Sequence, residues 1–203
     1  ALALLPRAVA TCLGTLLEVE PVAVLGVGGY ASAAGVVAAA ALGIPCVLQE
    51  QNSVPGLTNR FLAPWADLIC CGFADALARF PSLPAEWTGN PVRADFFAVA
   101  DVEPADPPRL LVLGGSQGSL FLNRTVPRAL VELKRRGLAV EVYHQTGARW
   151  SEVVATNYAD LGLEGAGVVD LPTPRRPAAA ADLVVARAGA LTVAELAAAG
   201  RGA

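Results

Sequence analysis

Residues 110–118, LLVLGGSQG, decide the fold class, because an apolar run passes directly into a glycine-rich turn. Residues 22–32, VAVLGVGGYAS, repeat this pattern in the first half of the chain. Around both segments, apolar β-rich runs alternate with Ala- and Leu-rich helical stretches along the whole length. This alternation is typical of parallel sheets that carry helices on both faces, so an α/β fold is predicted.

The same alternation places the individual elements within two domains. Strands are predicted over 22–27, 46–49, 68–71, 110–113, 140–143, 167–171 and 183–186. Helices are predicted over 32–42, 57–63, 73–79, 120–136 and 149–160, in a stretch that ends near 181, and within 187–199. Residues 93–108 are rich in proline and acidic residues, which predicts a linker between a first domain over 1–92 and a second over 109–203. Both domains are expected to be incomplete, because the first begins on a helix and the second ends on one.

Composition excludes several classes of protein. The chain has 203 residues, of which 54% are hydrophobic and 16% charged, so it has enough apolar material for one or two cores and is not a disordered tail. Its 15 Lys and Arg against 18 Asp and Glu give a net charge of -3. A nucleic-acid-binding protein would be expected to carry an excess of basic residues, so this class is disfavoured. The four cysteines have no Cys-x-x-Cys spacing, which argues against disulfides and zinc. No metal or other cofactor is expected.

Hydropathy argues against a membrane span and a leader. The longest apolar stretch, 35–48, is broken by Gly43 and Pro45 and is shorter than the roughly 20 residues that a span needs. The opening residues 1–7 lack the basic start of a signal peptide. A soluble, cytoplasmic chain is therefore expected.

Polar loops after the predicted strands are candidate binding sites in the first half. The turn Gly28-Gly29-Tyr30-Ala31-Ser32 precedes a helix, where free backbone N–H groups and the helix dipole favour a phosphate. Ser32 can cap that helix or reach the phosphate. Glu50 and Asn52 follow the next strand, where they can hydrogen-bond sugar hydroxyls, take a proton from one, or be ordinary surface residues.

The second half of the chain contains a matching set of candidate binding residues. The turn at 114–118 can hold a diphosphate, and its Ser116 can contact a phosphate or cap the helix. Thr192 and Glu195 lie near the start of the last helix, where Glu195 can accept both hydroxyls of a ribose or simply favour the dipole. Arg93 can meet a nucleotide or pair with Asp95. His144 has no Ser or Cys partner in a recognisable motif and is interpreted as structural.

Together these segments resemble the MurG family, bacterial glycosyltransferases that transfer N-acetylglucosamine from UDP-N-acetylglucosamine to a lipid-linked muramyl-pentapeptide in peptidoglycan synthesis. The order and spacing of the motifs hold across nearly all of the chain. They are LGVGGYAS at 25–32, LGIP at 42–45, EQN at 50–52, GLTN at 56–59, GNPVR at 89–93, GGSQG at 114–118, HQTG at 144–147 and RAGALTVAE at 187–195. The resemblance implies a fold of GT-B type, with two Rossmann-like lobes that contain parallel sheets.

The resemblance also implies roles for individual residues in an inverting displacement that needs no metal. In the second lobe, Ser116 would contact the donor diphosphate, Glu195 the ribose, and Arg93 and the backbone of Leu171 the uracil. From the first lobe, Asn52 would reach the acetylglucosamine and Glu50 is the candidate base. The donor's phosphates and sugar would also contact Ala190, Leu191, Thr192, Val193 and Ala194, and the acceptor diphosphate would contact Gly28, Gly29, Tyr30 and Ser32.

Departures from the family pattern set the remaining expectations. The family's first glycine loop would precede residue 1, Gln49 stands where the family usually has histidine, and the strand and glutamine pair expected after Gly200 are missing. The chain is therefore expected to be a fragment that is inactive alone. The alternative is a non-catalytic nucleotide-sugar-binding or scaffold subunit of a split enzyme. The resemblance implies peripheral attachment to the inner face of the cell membrane, although the basic residues 134–136 are interpreted as a helix-end cluster.

Overall fold

The computed structural model describes residues 5–97, 103–115, 117–163, 167–168 and 181–200. By its internal contacts the chain divides into two units, Ala1–Pro91 and Val92–Ala203. Each unit contains its own four-stranded sheet in which all pairings are parallel. The predicted α/β class with parallel sheets is thus confirmed.

In the first unit the strands follow one another across the sheet in the order β1-β2-β3-β4. The sheet has helices before β1, between β1 and β2, and between β2 and β3. The elements are α1 (Leu5–Val19), β1 (Val24–Gly26), α2 (Gly29–Ala41), β2 (Cys46–Glu50), α3 (Leu57–Leu62), β3 (Leu68–Cys71) and β4 (Ala85–Trp87), with short 3-10 turns over Ala63–Trp65 and Ala74–Arg79.

The core of the first unit lies between α2 and the sheet. Val36 of α2 and Leu48 of β2 are both almost fully buried. Both lie close to Gly26, where a Cβ would come within 2.7 Å of Val36 and 2.8 Å of Leu48. Glycine at this position therefore lets the helix pack directly on the strand ends.

In the second unit the order is β7-β6-β5-β8. The central strand β5 pairs with β6 on one side and with β8 on the other. The elements are α4 (Ala94–Phe97), β5 (Arg109–Leu113), α5 (Leu120–Arg135), β6 (Glu141–Gln145), α6 (Ser151–Asp160), β7 (Gly167–Val168), β8 (Leu183–Ala186) and α7 (Ala190–Ala198), with a 3-10 turn over Ala148–Trp150.

Successive side chains of β5 point into two different cores, as the alternation of a strand requires. Leu111 and Leu113 pack with Val184 and Leu196 on one face of the sheet. On the other face, Val112 packs with residues of α5, β6 and α6, namely Leu122, Val126, Leu130, Val142, Val154 and Tyr158. This unit therefore carries helices on both faces.

Several boundaries differ from the sequence-based expectations. The helix α2 begins at Gly29, three residues earlier than predicted, because glycine rather than Ser32 occupies its N-cap region. Strand β4 was not predicted, since three residues with two exposed side chains carry no readable alternation. Within the segment interpreted as a linker, α4 places Phe96 in the core of the second unit, where it is 3% exposed.

Both units use the same carboxylate contact to align neighbouring strands. Asp67, just before β3, accepts a hydrogen bond at 2.7 Å from the backbone N–H of Cys46, the first residue of β2. Asp182, just before β8, accepts one at 2.7 Å from the N–H of Arg109, the first residue of β5. This backbone hydrogen bond, above all, lowers the pKa of Asp182. Each carboxylate thereby sets the register at the amino-terminal edge of its sheet.

The four cysteines form no disulfide in the structure. Burial raises the pKa of the Cys46 and Cys71 thiols, which favours their neutral forms. Among the described residues, no helix is both long and apolar enough to cross a membrane.

Candidate functional site

A cavity of about 300 Å³ opens in the first unit where β1 and β2 end. Three of the sequence motifs meet there: the turn Gly28-Gly29-Tyr30 after β1, the loop Glu50-Gln51-Asn52 after β2, and the segment Gly56-Leu57-Thr58-Asn59 at the start of α3. The carboxyl ends of parallel strands are where α/β sheets bind ligands. We refer to this cavity as the first-unit pocket.

The glycine turn leaves the start of α2 open to the first-unit pocket. Gly28 and Gly29 have φ angles of 83° and 75°, a region that glycine adopts readily and other residues rarely do. No side chain among the described residues caps the helix at Gly28. The first N–H groups of a helix lack intrahelical partners, so this end can bind an anion.

Glu50 organises the loop beside that turn. The carboxylate is 1% exposed. Its Oε1 accepts hydrogen bonds from the backbone N–H of Asn52 at 2.9 Å and from the Asn52 side chain at 3.0 Å. Its Oε2 accepts from the backbone N–H of Gly56 at 3.0 Å and from Asn59 Nδ2 at 2.9 Å. These four N–H donors satisfy both oxygens and hold residues 50–59 in one conformation.

The predicted role of Glu50 as a catalytic base has no support in this geometry. A base must lie within hydrogen-bond reach of the proton that it removes. The Glu50 oxygens are buried and already accept four hydrogen bonds from the protein. The carboxylate therefore positions the loop, and its predicted role as a base stays a prediction.

The other first-unit candidates fall into two groups. Gly28, Gly29 and Tyr30 line the pocket, and Tyr30 is 92% exposed at its rim. Ser32 does not line it, because the early start of α2 places this residue inside the helix, with its hydroxyl close to Gly26. Ser32 therefore neither caps the helix nor reaches the pocket. Asn52 lines the pocket, and its predicted contact with the donor sugar stays a prediction.

Asn59 is the pocket residue to which the sequence assigned no role. It lies in the quoted GLTN motif, is 2% exposed, and donates from Nδ2 to Glu50 and to the carbonyl of Gln49. Its Oδ1 is buried and accepts no hydrogen bond from the described residues. The sequence signal that could have identified Asn59 was its closeness to Glu50, because the two residues lie on either side of the one loop that joins β2 to α3.

In the second unit, the candidate site lies where β5 and β8 end side by side. The chain proceeds from β5 to β6 and β7 in one direction across the sheet, whereas β8 lies on the opposite side of β5. Such a reversal of strand order opens a crevice between the two following loops, and ligands of α/β sheets bind in it. The loops here are 114–119 and 187–189. We refer to this region as the second-unit crevice.

Close backbone packing shapes the loop after β5. A Cβ on Gly118, whose φ is 73°, would overlap the carbonyl oxygen of Thr146. Asn123 of α5 donates to that same carbonyl at 3.1 Å. Ser119, not Ser116, is the N-cap of α5, since its hydroxyl accepts from the N–H of Leu122. The predicted contacts of Ser116 and Leu171 lie outside the described residues.

An ion pair joins two of the predicted donor residues. Arg93 Nη2 lies 3.3 Å from Glu195 Oε1, and the two side chains are 44% and 25% exposed. The Arg93 guanidinium also lies over the Phe96 ring, 5.0 Å from its centroid. The structure therefore pairs Arg93 with Glu195, on α7, and holds both groups where solvent or a ligand can reach them.

The start of α7 supplies the remaining second-unit candidates. The helix begins at Ala190 after Gly189, and no described side chain caps it. Its first N–H groups thus resemble those of α2 in lacking an intrahelical partner. Leu191 and Val193 are exposed, while Ala190, Thr192 and Ala194 are half-buried. Their predicted contacts with a ligand stay predictions.

His144 of β6 is a buried structural residue, as predicted. It is fully buried, and its Nδ1 lies 3.0 Å from the hydroxyl of Tyr158. Burial lowers the pKa of the imidazole to about 4, so the ring is neutral at pH 7. Within the described parts of the chain, no three His, Cys, Asp or Glu side chains are grouped so as to hold a metal ion.

Replacing Glu50 tests its positioning role. We expect Glu50→Gln to lower the free energy of unfolding by about 3 kcal/mol, because the amide NH₂ would face N–H donors that then lack an acceptor. Chemical denaturation measures the effect. Glu86→Gln, on the exposed part of β4, is the matched control and should change stability by less than about 0.5 kcal/mol. Equal stability of the two variants would contradict the role assigned to Glu50.

The neutral His144 predicts a dependence of stability on pH. Its pKa is lower in the folded protein than in the unfolded chain, so the unfolded chain binds an extra proton between about pH 6.5 and pH 4. The contribution of His144 to the free energy of unfolding is fully present above pH 6.5, and it falls by up to about 3 kcal/mol as the pH is lowered towards 4. We expect urea unfolding of His144→Gln to show a shallower fall over this range, whereas parallel curves would contradict the assignment.

Comparisons with known proteins agree with the motifs. The model of the glycosyltransferase family 28 N-terminal domain matches residues 3–70, and that of the family's C-terminal domain matches residues 109–203. A relative from Aromatoleum aromaticum is 46% identical over 193 residues, which cover 93% of this chain and 52% of the relative. It is named UDP-N-acetylglucosamine--N-acetylmuramyl-(pentapeptide) pyrophosphoryl-undecaprenol N-acetylglucosamine transferase. The chain thus spans about half the length of the curated relatives that it matches.

Solved structures support the same assignment. The crystal structure of Acinetobacter baumannii MurG is similar with a TM-score of 0.69 and 33% identity, over 97% of this chain and 55% of that one. A UDP-GlcNAc 2-epimerase from Methanocaldococcus jannaschii shares the fold at 13% identity, with a TM-score of 0.64 over 97% of this chain and 64% of that one. The predicted GT-B type of fold is confirmed by these likenesses. The two domain matches, the curated relatives and the MurG structure show that the chain belongs to glycosyltransferase family 28 and, within it, to the MurG family.

Proposed function

We propose that the second-unit crevice binds UDP-N-acetylglucosamine and that the chain takes part in transferring its sugar to a lipid-linked muramyl-pentapeptide. The observations that carry this proposal are the reversal of strand order between β5 and β8 and the solvent-accessible pair of Arg93 and Glu195 on the same unit. A carboxylate accepts hydrogen bonds from both hydroxyls of a ribose, and a guanidinium donates to the carbonyl groups of a uracil. The relatives named above carry this activity in their names.

The chemistry follows from the charges that the reaction creates. The oxygen of the acceptor hydroxyl attacks the anomeric carbon as the bond from that carbon to the diphosphate breaks. UDP leaves with the electron pair, and the hydroxyl proton passes to a base or to water. Negative charge then grows on the diphosphate, where uncapped N–H groups such as those at the start of α7 stabilise it.

In this proposal each predicted donor residue has one task. Glu195 accepts from the ribose, Arg93 and the Leu171 backbone donate to or accept from the uracil, and Ser116 contacts the diphosphate. The first turn of α7, with Ala190, Leu191, Thr192, Val193 and Ala194, contacts the phosphates and the sugar.

The first-unit pocket is the proposed site of the acceptor diphosphate. Gly28, Gly29 and Tyr30 surround the uncapped start of α2, which favours an anion. Glu50 keeps the neighbouring loop in place without contacting the acceptor. The acceptor named for the relatives is a pyrophosphoryl lipid, which matches an anion-binding end beside apolar surface.

Apolar side chains on α3 and on the 3-10 turn that follows it support peripheral attachment at the cytoplasmic membrane face. Leu57, Phe61 and Trp65 follow one another at intervals of four residues and are 78%, 61% and 48% exposed. The Phe61 and Trp65 rings pack edge to face, with centroids 5.2 Å apart, and Leu57 lines the first-unit pocket. Exposed aromatic side chains of this kind suit the membrane–water interface. The basic residues 134–136 contact Glu132 and the carbonyl of Gly162, which agrees with a charge cluster at the end of α5.

Donor binding tests the proposed function directly. We expect isothermal titration calorimetry of the 203-residue chain to detect UDP-N-acetylglucosamine, and Glu195→Gln to weaken it about tenfold through loss of a charged acceptor. Glu132→Gln, in the last turn of α5, is the matched control and should bind as the wild type does. No heat from the wild type at millimolar ligand, or equal binding by the Glu195 variant, would overturn the proposal.

Membrane attachment has a separate test. We expect the chain to co-sediment with vesicles that contain anionic lipid, and the double variant Phe61→Ser, Trp65→Ser to lose most of the bound fraction, because each ring buries apolar area worth about 1.5 to 3 kcal/mol. Val153→Ser removes an apolar side chain that is 63% exposed on the second unit and serves as the control. Equal loss with the control, or none with the double variant, would argue against attachment through α3.

A further inference from the structure

The first-unit pocket contains a buried acceptor that no described protein group satisfies. Asn59 is 2% exposed, and its two Nδ2 hydrogens go to the carbonyl of Gln49 at 3.1 Å and to Glu50 Oε2 at 2.9 Å. Its Oδ1 accepts no hydrogen bond within the described residues. Buried polar atoms of this kind are rare, because leaving one without a partner is costly.

Exchanging the positions of Oδ1 and Nδ2 in the Asn59 side chain does not provide the oxygen with a hydrogen-bond donor. A flipped side chain would point its oxygen at the Gln49 carbonyl and at Glu50 Oε2, both of which are acceptors. Neither acceptor has a hydrogen to offer that oxygen, as long as Glu50 carries its charge. The orientation of Asn59 is therefore set by its two partners, and Glu50 acts as the positioning residue.

The free carbonyl lies beside the glycine turn. A Cβ built on Gly28 would lie 3.7 Å from Asn59 Oδ1 and 3.5 Å from Nδ2. Among the described residues, the atoms nearest to a Cβ at position 28 all belong to the Asn59 amide, so glycine leaves this space open. The pocket thus combines two features: uncapped N–H groups, which favour an anion, and one buried oxygen, which needs a donor.

A diphosphate diester without a sugar cannot satisfy both features, because its ionised oxygens only accept hydrogen bonds. A sugar diphosphate satisfies both, since its phosphates meet the helix N-terminus while a sugar hydroxyl or acetamido N–H donates to the carbonyl. We propose that Asn59 is a specificity-determining residue, whose Oδ1 accepts a hydrogen bond from the sugar of the acceptor held in the first-unit pocket. This inference rests on the proposed function, which places the acceptor diphosphate there.

Calorimetry with altered sugars tests the proposal. The probe is N-acetylmuramyl diphosphate carrying a short prenyl chain, together with analogues in which one hydroxyl at a time is replaced by hydrogen, or the amide N–H by N-methyl. We expect one analogue to bind the wild-type chain about tenfold more weakly than the parent probe. In Asn59→Ser, the parent probe binds about tenfold more weakly and that analogue binds no worse than the parent. Asn157→Ser, in the second unit, is the matched control and should keep the wild-type pattern.

Equal affinity of the wild type for the parent and for every analogue would overturn the proposal, as would discrimination that survives in Asn59→Ser. The failure of this inference alone leaves wild-type binding of the probe and of UDP-N-acetylglucosamine intact. The failure of the proposed function shows itself separately, as absence of donor binding in the Glu195 experiment. No binding of the probe by the folded wild type would overturn the present inference as well.

A second measurement needs no variant and so avoids any loss of folding. In chain labelled with ¹⁵N, we expect the side-chain amide resonance of Asn59 to shift with the sugar diphosphate probe and to stay in place with dimethyl diphosphate, a diester that has no sugar and no P–OH group. A shift with UDP-N-acetylglucosamine in place of the acceptor probe would assign the pocket to the donor sugar and overturn the assignment to the acceptor.

Discussion

The buried carboxylate of Glu50 is the interaction on which the first unit's site depends. An ionised group removed from water is stable only when hydrogen bonds replace its hydration. Here four N–H groups do so, from the backbone of Asn52 and Gly56 and from the side chains of Asn52 and Asn59. Because those donors lie on both sides of the loop between β2 and α3, satisfying one charge fixes the whole loop. The shape of the pocket and the orientation of Asn59 are consequences of that single requirement.

The second unit reaches a similar architecture, and none of its described carboxylates is buried. Its loop after β5 is held by contacts of backbone against backbone, in which Gly118 lies directly on the carbonyl of Thr146 and Asn123 donates to the same group. Any side chain at position 118 would have to displace that carbonyl. In the second unit a glycine in close backbone contact therefore fixes the loop, whereas in the first unit a buried charge fixes it. The two units share instead the contact at the opposite edge of each sheet, where Asp67 and Asp182 align neighbouring strands.

The sequence predicts most of this fold but little of the site's geometry. Strands at 68–71 and 183–186 are apolar runs bounded by clear breaks, and the structure has them at the predicted residues. The start of α2, the strand β4 and the burial of Phe96 were missed, because an uncapped glycine start, a three-residue edge strand and one aromatic in a proline-rich segment leave no periodic pattern. Glu50 and Asn59 illustrate a different limit. Composition and spacing show that a carboxylate and an amide lie near a strand end, but only three-dimensional contacts show which oxygens are already used.

Burial decides which carboxylate can contact a substrate. Glu50 is 1% exposed and fully hydrogen-bonded, so exchanging its partners for a ligand would leave several N–H groups unsatisfied. Glu195 forms one ion pair with Arg93, and the two side chains are 25% and 44% exposed. Exposed pairs contribute at most about 1 kcal/mol, so a ligand can replace this contact at little cost. The pair therefore holds both groups in a position where another partner can replace the contact. Sequence motifs rank the two glutamates alike, whereas the structure shows that Glu50 is buried with both oxygens hydrogen-bonded and that Glu195 is partly exposed.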